Sequence, residues 1–526
     1  LTNSKNASVS SAAIIVMSSL ILSRVTGFLR ETMLSWKVGL NWVHDAYVAA
    51  FTVPDVIYTL LVSGMISAAL VPFLSGKLER GEEKEGWGAV SSFLNVLTAG
   101  TIFLSVLGII FSEQVIPFVA PGFAEQSQST QELAIKLARI LFPSVLFIML
   151  AGVCNGVLNS YKKFAAAAYG PSIYNAACAL SIYLFADADP ESMIKAAFGV
   201  SASALIYFLV QLAFAFNKFK FYRPLINFVD KGFQRLFNQA VPSLLSSSVA
   251  QFNVVVSTAF VSLSAVEGSL AAFRNANTLW QLPYGIFAVG IGTAVLPALS
   301  GKYATGENKE YRSLLTRSLT SVLFWALPSA AGFIMLREPL VRAVFYWGGK
   351  FTQSDVSSVA SILALFSASI VSQSAVAILN RAFYAIQDTK TPLLIGLCTA
   401  VINLLLGMVF YLFTDLGASG MALSYSIIST INAVMLLVVL KKKTNGIHME
   451  KVISFFVRAI PATLIMCIFL AVFEIMPVSL AKKGLQLLYL AVEMLIAAVI
   501  YTGIMLLMKA DDAVYMKNLI KQRLNV

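Results

Sequence analysis

The hydrophobic positions of this chain fall in long unbroken runs, separated by short stretches rich in charge, glycine and proline. A helix needs about 20 apolar residues to cross a bilayer core, and runs of that length recur from end to end. Cutting at the polar breaks predicts helices over 10–36, 44–75, 86–112, 132–158, 165–187, 192–216, 235–262, 266–301, 311–336, 354–386, 391–413, 417–440, 451–475 and 485–509. Fourteen spans put both termini on one side. The expected fold class is all-α, a polytopic membrane protein. An outer-membrane barrel is excluded, because its strands alternate at every second residue and these runs are continuous. The first run lacks a small-residue cleavage site and carries Arg24 and Arg30, so it reads as a retained helix and not a signal peptide.

Composition agrees with that pattern. Of 526 residues 58% are hydrophobic and 12% charged, with a mean hydropathy of +0.79; a soluble chain is roughly a quarter charged. The net charge of +12 would suggest nucleic acid in a soluble protein. In a membrane protein its placement matters more, and no nucleic-acid partner is expected. With the N-terminus inside, the inner segments carry 24 Lys and Arg, from Lys5 through Lys441, Lys442 and Lys443 to Lys517, Lys521 and Arg523. The outer segments carry seven: Lys37, Lys195, Arg337, Arg342, Lys350, Lys482 and Lys483. This asymmetry predicts that both termini lie in the cytoplasm.

Little points to covalent or metal chemistry. Cys154, Cys178, Cys398 and Cys467 lie far apart in apolar runs, and His44 and His448 are the sole histidines. Isolated cysteines of this kind read as small core residues, so neither a metal site nor a cofactor is expected. A membrane transferase would need clustered carboxylates to hold a divalent ion. Glu79, Glu82, Glu83 and Glu85 alternate with Arg80 and Lys84 and read as a solvated surface. No enzyme is expected.

The sequence repeats itself. Pro72-Phe-Leu-Ser-Gly-Lys77-Leu-Glu-Arg-Gly-Glu-Glu-Lys-Glu85 matches Pro297-Ala-Leu-Ser-Gly-Lys302-Tyr-Ala-Thr-Gly-Glu-Asn-Lys-Glu310 at nine of fourteen positions, 225 residues apart. Both copies fall where a long helix ends in a loop on the inner side. An even-numbered unit preserves orientation, so the repeat implies a parallel duplication of six helices. The expected division is an N-terminal lobe over 1–225, a C-terminal lobe over 226–445, and two added helices with a tail over 446–526. Paired bundles around a central cavity are a common transporter plan.

Charges inside spans are costly, at least about 2.5–3.5 kcal/mol each on insertion scales, and mark function by default. Arg24 and Arg30 lie in the first helix, with Glu31 beside the second of them. Asp45 opens the second helix, Asp55 follows Pro54, and Arg274 lies in the eighth. Arg24 and Arg30 are about 9 Å apart along the axis and about 120° apart around it, which suits one concave cavity. Guanidinium groups stay ionised and present forked donors to phosphate. Arg24, Arg30 and Arg274 are therefore candidate contacts for an anionic substrate such as a pyrophosphate; the competing reading is that each snorkels to an interface or pairs with a carboxylate. Arg381 and Arg458 sit near the inner boundary, where snorkelling is the better reading. Asp45 is either a salt-bridge partner or a gate element.

Ser23-Arg24-Val-Thr-Gly27-Phe28-Leu-Arg30, with Asp45-Ala46 and Pro54, resembles the opening of the MurJ (MviN) family of lipid II flippases. Gly64-Met-Ile-Ser-Ala-Ala-Leu-Val-Pro72, Gln281-Leu-Pro283-Tyr-Gly285 and Arg381-Ala-Phe383-Tyr384 through Pro392 resemble its later segments. The resemblance implies the fold of the multidrug/oligosaccharidyl-lipid/polysaccharide exporter superfamily, with a central cavity and a lateral groove formed with helices 13 and 14. It implies substrate-binding roles for Arg24, Arg30 and Asp45. Two departures stand out: Tyr58 and Thr59 replace an arginine pair, and Asn277-Thr278 replace an Asp-Arg pair, one turn beyond Arg274. The implied function is translocation of undecaprenyl-pyrophosphate-linked peptidoglycan precursor by alternating access. The alternative is export of another lipid-linked oligosaccharide, such as a capsule, exopolysaccharide or spore-wall precursor. The expected partners are this lipid-linked pyrophosphate glycan, membrane lipids, and a coupling cation or the membrane potential; Asp230 and Asp388 are candidate participants in coupling.

Overall fold

The computed structural model describes the chain except at 1, 127, 445–446, 476–482, 516–517 and 519–526, and describes backbone alone at 2–17, 20–21, 63, 125–126, 246 and 475. Lys482, Lys517, Lys521 and Arg523, which enter the charge asymmetry, lie outside the described residues, as does Gly446, the start of the third expected segment. Helix is the sole regular secondary structure among the described residues. Eleven of these helices are long and apolar enough to cross a membrane, and a bent pair, Gln353–Ser367 with Ser369–Ala385, makes a twelfth. The two remaining expected spans correspond to the helix Thr2–Val38 and to Phe164–Ala168 followed by Gly170–Phe185. The fourteen-span reading is compatible with this architecture.

Among the described residues, the second, eighth and tenth spans, besides the fifth, depart from straight α-helix. The second runs from Trp42–Thr59 through a π-helical stretch, Leu60–Leu70, into Val71–Glu79. The eighth runs from Ser269–Pro283 through a π-helical Tyr284–Val289 into Gly290–Ala304. A proline lies upstream of each wide stretch, Pro54 six residues before Leu60 and Pro283 immediately before Tyr284. The tenth bends by 42° at Ala368. There Ser367 Oγ donates to Leu363 O (2.7 Å) and Ser369 Oγ to Phe366 O (2.6 Å). Such back-bonding competes with the ladder and bends helices.

The repeat in sequence is a repeat in structure. Gly81 and Gly306 both take left-handed φ, +75° and +74°. Glu82 N donates to Lys77 O (2.9 Å) and Gly81 N to Leu78 O (3.1 Å); Glu307 N donates to Lys302 O (3.0 Å) and Gly306 N to Tyr303 O (3.1 Å). This is the Schellman ending of a helix, in which glycine is favoured because it carries no Cβ penalty. Lys77 then pairs with Glu82 (2.8 Å) and Glu85 (2.6 Å). Lys302 pairs with Glu307 (2.6 Å) and with Glu310. Every partner is displaced by the same 225 residues.

The chain packs as two compact units, Leu1–Ala271 with Gly348–Phe351, and Ala272–Trp347 with Thr352–Val526. The helix Lys231–Ser262 belongs to the first unit by packing, although it would open the second half of the duplication. It approaches the π-helical stretch at Gly64, where a Cβ would lie 2.7 Å from Ser247 Oγ and 3.2 Å from Leu244 Cα. Packing units and sequence repeats are thus different divisions of this chain. The core of the first unit gathers Ile66, Leu70, Leu74, Trp87, Phe93 and Val157.

Candidate functional site

The first unit encloses a cavity of about 550 Å³ among five helices. Thr2–Val38 contributes Ser23, Arg24 and Arg30 to its lining; Trp42–Thr59 contributes Phe51, Pro54, Asp55, Tyr58 and Thr59. Ser144 and Ile148 come from Gln128–Ser160, Pro171, Tyr174 and Asn175 from Gly170–Phe185, and Tyr207 from Pro190–Ala215. The walls meet closely where side chains are absent. Gly27 brings the first helix to Asn175, whose Nδ2 would lie 3.6 Å from a Cβ there. Gly170 faces Gln211 and Tyr207 with no room for a side chain.

Arg30 is the most tightly held of the lining charges. Its Nη2 donates to Glu31 Oε1 (2.7 Å) and its Nη1 to Asn175 Oδ1 (3.2 Å), while the guanidinium carbon lies 5.8 Å from the Phe51 ring centre. The Glu31 side chain is 4% exposed and that of Arg30 18%. A guanidinium has five N–H donors, so this arrangement fixes the fork and leaves donors over for a ligand. Arg24 is exposed, as is Asp55. Arg24, Arg30, Glu31 and Asp55 sum to zero formal charge, so an anion would be held here by placed donors more than by net charge.

The structure brings Arg24 and Arg30 together in this cavity and leaves the other two candidates outside its lining. Asp45 is buried at 6% exposure. Its Oδ2 accepts from Gly268 N and its Oδ1 from Ala271 N, both at 2.8 Å. It caps the first turn of the helix Ser269–Pro283, satisfying N–H groups that a helix start leaves unpaired. Arg274 lies in the second unit, half-buried, with its carbonyl accepting from Thr278 Oγ1 (2.9 Å). The two candidate coupling aspartates also act at helix starts. Asp230 accepts from Phe233 N (2.7 Å). Asp388 accepts from Thr391 N (3.0 Å) and Thr391 Oγ1 (2.7 Å) and pairs with Lys443. Partial burial pushes the Asp388 carboxyl up, but Lys443 and Thr391 outweigh it and hold it down at about 2.

Tyr174, Asn175 and Tyr207 are among the lining residues that escape sequence reasoning. Tyr174 and Tyr207 rings are tilted with centres 5.9 Å apart, and Asn155 Nδ2 donates to Tyr207 Oη (2.7 Å). Tyr58, where the resemblance leads one to expect an arginine, packs against the same cluster and lines the cavity. An asparagine inside the apolar run 165–187 was the one available signal; a tyrosine in a span reads as ordinary core.

The model of the family described as Lipid II flippase MurJ matches residues 35–511. The chain belongs to the MurJ lipid II flippase family. It is 30% identical over 461 residues to the probable lipid II flippase MurJ of Buchnera aphidicola subsp. Acyrthosiphon pisum, covering 86% of this chain and 88% of that one. It is 31% identical over 454 residues to the lipid II flippase MurJ of Burkholderia cenocepacia, covering 85% and 86%. A solved structure titled lipid II flippase MurJ, inward closed conformation, aligns with a TM-score of 0.79 at 26% identity, over 96% of this chain and 100% of that one. An inward-facing MATE-family multidrug transporter of the MOP superfamily aligns with a TM-score of 0.68 at 17% identity, over 82% and 98%, and so shares the fold. The expected superfamily fold and the MurJ resemblance both hold.

Proposed function

We propose that this chain moves lipid II, the undecaprenyl-pyrophosphate-linked peptidoglycan precursor, from the inner to the outer leaflet of the bacterial cytoplasmic membrane. The family match over residues 35–511 carries that reading. Both termini are assigned to the cytoplasm on the Lys/Arg asymmetry of the loops. Arg24 and Arg30 are the proposed pyrophosphate contacts, with Asn175 and Glu31 aiming the Arg30 fork. Arg274 is retained as a proposed contact on the second unit, and Asp45 is reassigned from binding substrate to holding a helix start. The paired helix endings at Gly81 and Gly306 support the six-helix duplication, which suits alternating access between two related bundles. Substrate binding and release suffice for this function, and no covalent step is required. The membrane potential or a coupling cation supplies the driving force.

A second lipid-linked glycan is favoured by one observation. Tyr58 and Thr59 line the cavity where the family resemblance leads one to expect two arginines. Fewer fixed cations and more tyrosine would suit a different headgroup on the same pyrophosphate carrier. Reconstitution separates the two. Vesicles containing the purified chain and labelled lipid II, with an imposed potential, are assayed for lipid II reachable from the far side. Movement above empty vesicles, abolished by Arg30→Ala, supports lipid II; movement of another pyrophosphate-linked glycan but not lipid II overturns it.

A further inference from the structure

The stretch 216–230, between the spans Pro190–Ala215 and Lys231–Ser262, is irregular apart from one short turn, Phe216–Lys218. It nonetheless presents a ridge of apolar side chains: Leu225 is 62% exposed, Phe228 63% and Val229 82%. Lys220, Arg223, Lys231 and Arg235 are exposed around it. In water such a ridge would be an unexplained apolar patch.

Its backbone is bonded as a chain entering lipid must be. Asn95 Nδ2 donates to Arg223 O (3.1 Å) and Leu225 O (2.9 Å), while Arg223 N donates to Ser91 Oγ (3.0 Å) and Asn227 N to Ser92 Oγ (3.1 Å). Both ends are fastened to the same helix, Glu83–Ile110. Phe219 packs on Trp87 with ring centres 5.2 Å apart, and a Cβ on Gly232 would meet Ala89 Cβ at 2.7 Å. Irregular backbone is tolerated near hydrocarbon where neighbouring groups satisfy its N–H and C=O. Three polar side chains of one span do so here. The 28-residue helix Glu83–Ile110 is about 42 Å long, against about 30 Å of hydrocarbon. With the whole of the roughly 12 Å excess on the inner side, Ser91 falls at the hydrocarbon boundary and Asn95 about 6 Å inside it.

We propose that 216–230 is a lipid-recognition loop: its Leu225–Phe228–Val229 ridge enters the inner leaflet boundary, while the surrounding cations hold the phosphate headgroups of bulk anionic lipid such as phosphatidylglycerol. The chemistry is that of a basic, apolar interfacial anchor. Asp230, a carboxylate at the end of the loop, accepts from Phe233 N (2.7 Å) and is outnumbered by the four exposed cations. The inference rests on the membrane-spanning fold and is independent of which glycan is carried.

The test places an environment-sensitive fluorophore at Val229→Cys in a cysteine-free background, reconstituted in vesicles with and without phosphatidylglycerol. Quenching by nitroxide on shallow acyl positions, with protection from aqueous iodide, is expected. A Lys220→Gln/Arg223→Gln variant is expected to retain less phosphatidylglycerol through purification, by up to about fivefold per charge removed. Its size-exclusion profile and thermal midpoint are compared with those of the parent to show that it folds. Iodide quenching without nitroxide quenching overturns the proposal. So does equal retention of phosphatidylglycerol and phosphatidylethanolamine by parent and folded variant.

Discussion

Asn175 offers the sharpest test of how the cavity recognises charge. Its Oδ1 lies 3.2 Å from Arg30 Nη1, so Asn175→Asp places a carboxylate against the guanidinium without changing shape. A phosphate oxygen held by Arg30 at about 3 Å would then lie about 6 Å from the new charge. At an effective dielectric of about 20 their repulsion is about 2.8 kcal/mol, or about 100-fold in affinity. Asn175→Leu instead removes one charge-assisted hydrogen bond while Glu31 still holds Nη2, a loss of about 1.5 kcal/mol or about tenfold. The assay is binding of lipid II and of a neutral polyprenyl-linked glycan to the purified protein in nanodiscs. The expected order for lipid II is parent, then the leucine variant, then the aspartate variant. The neutral glycan should barely distinguish asparagine from aspartate. Lipid II affinity of Asn175→Asp within about threefold of the parent would refute the assignment of the pyrophosphate to Arg30.

Three further outcomes follow from the local geometry. Gly81→Ala and Gly306→Ala each force a Cβ into left-handed backbone at about 1–2 kcal/mol; equivalent turns should lower the thermal midpoint equally, and a clear inequality would count against structural equivalence of the repeat. Asp45→Ala strips the acceptors from Gly268 and Ala271 and should cost about 1–2 kcal/mol of stability, read in thermal unfolding, with Asp45→Asn milder; unchanged midpoints would remove its capping role. Asp388 has its carboxyl held down at about 2, below the ordinary value near 4. Its contribution is therefore present at neutral pH and lost as pH falls from about 4 towards 2. Asp388→Asn should flatten the acid limb of a stability profile over that window.

Much of the fold was legible because a bilayer imposes a simple rule of length and continuity. The runs that became Glu83–Ile110, Gln128–Ser160 and Lys390–Phe413 could be read directly. Pro54 and Pro283 are visible in the sequence, but proline alone does not reveal that the helix widens further on. The bend at Ala368 was written in Ser367, Ser369 and Ser372, whose hydroxyls compete with the backbone, yet serine is common in spans that stay straight. Half the candidate site was legible for an electrostatic reason: Arg24 and Arg30 are expensive in a membrane and so conspicuous. Asn175 and the tyrosines cost little there and carried no such mark. Asp45 was conspicuous too, but its partners lie 223 and 226 residues along the chain. No local pattern could separate a cap from a substrate contact.

The central claim is tested most directly in a bacterium depleted of its own lipid II flippase. The parent chain and Arg24→Ala, expressed and inserted to equal levels, are scored for growth and for lipid II in the outer leaflet. The account predicts that the parent restores both and that Arg24→Ala restores neither. A well-expressed, correctly inserted parent that restores neither readout would contradict it.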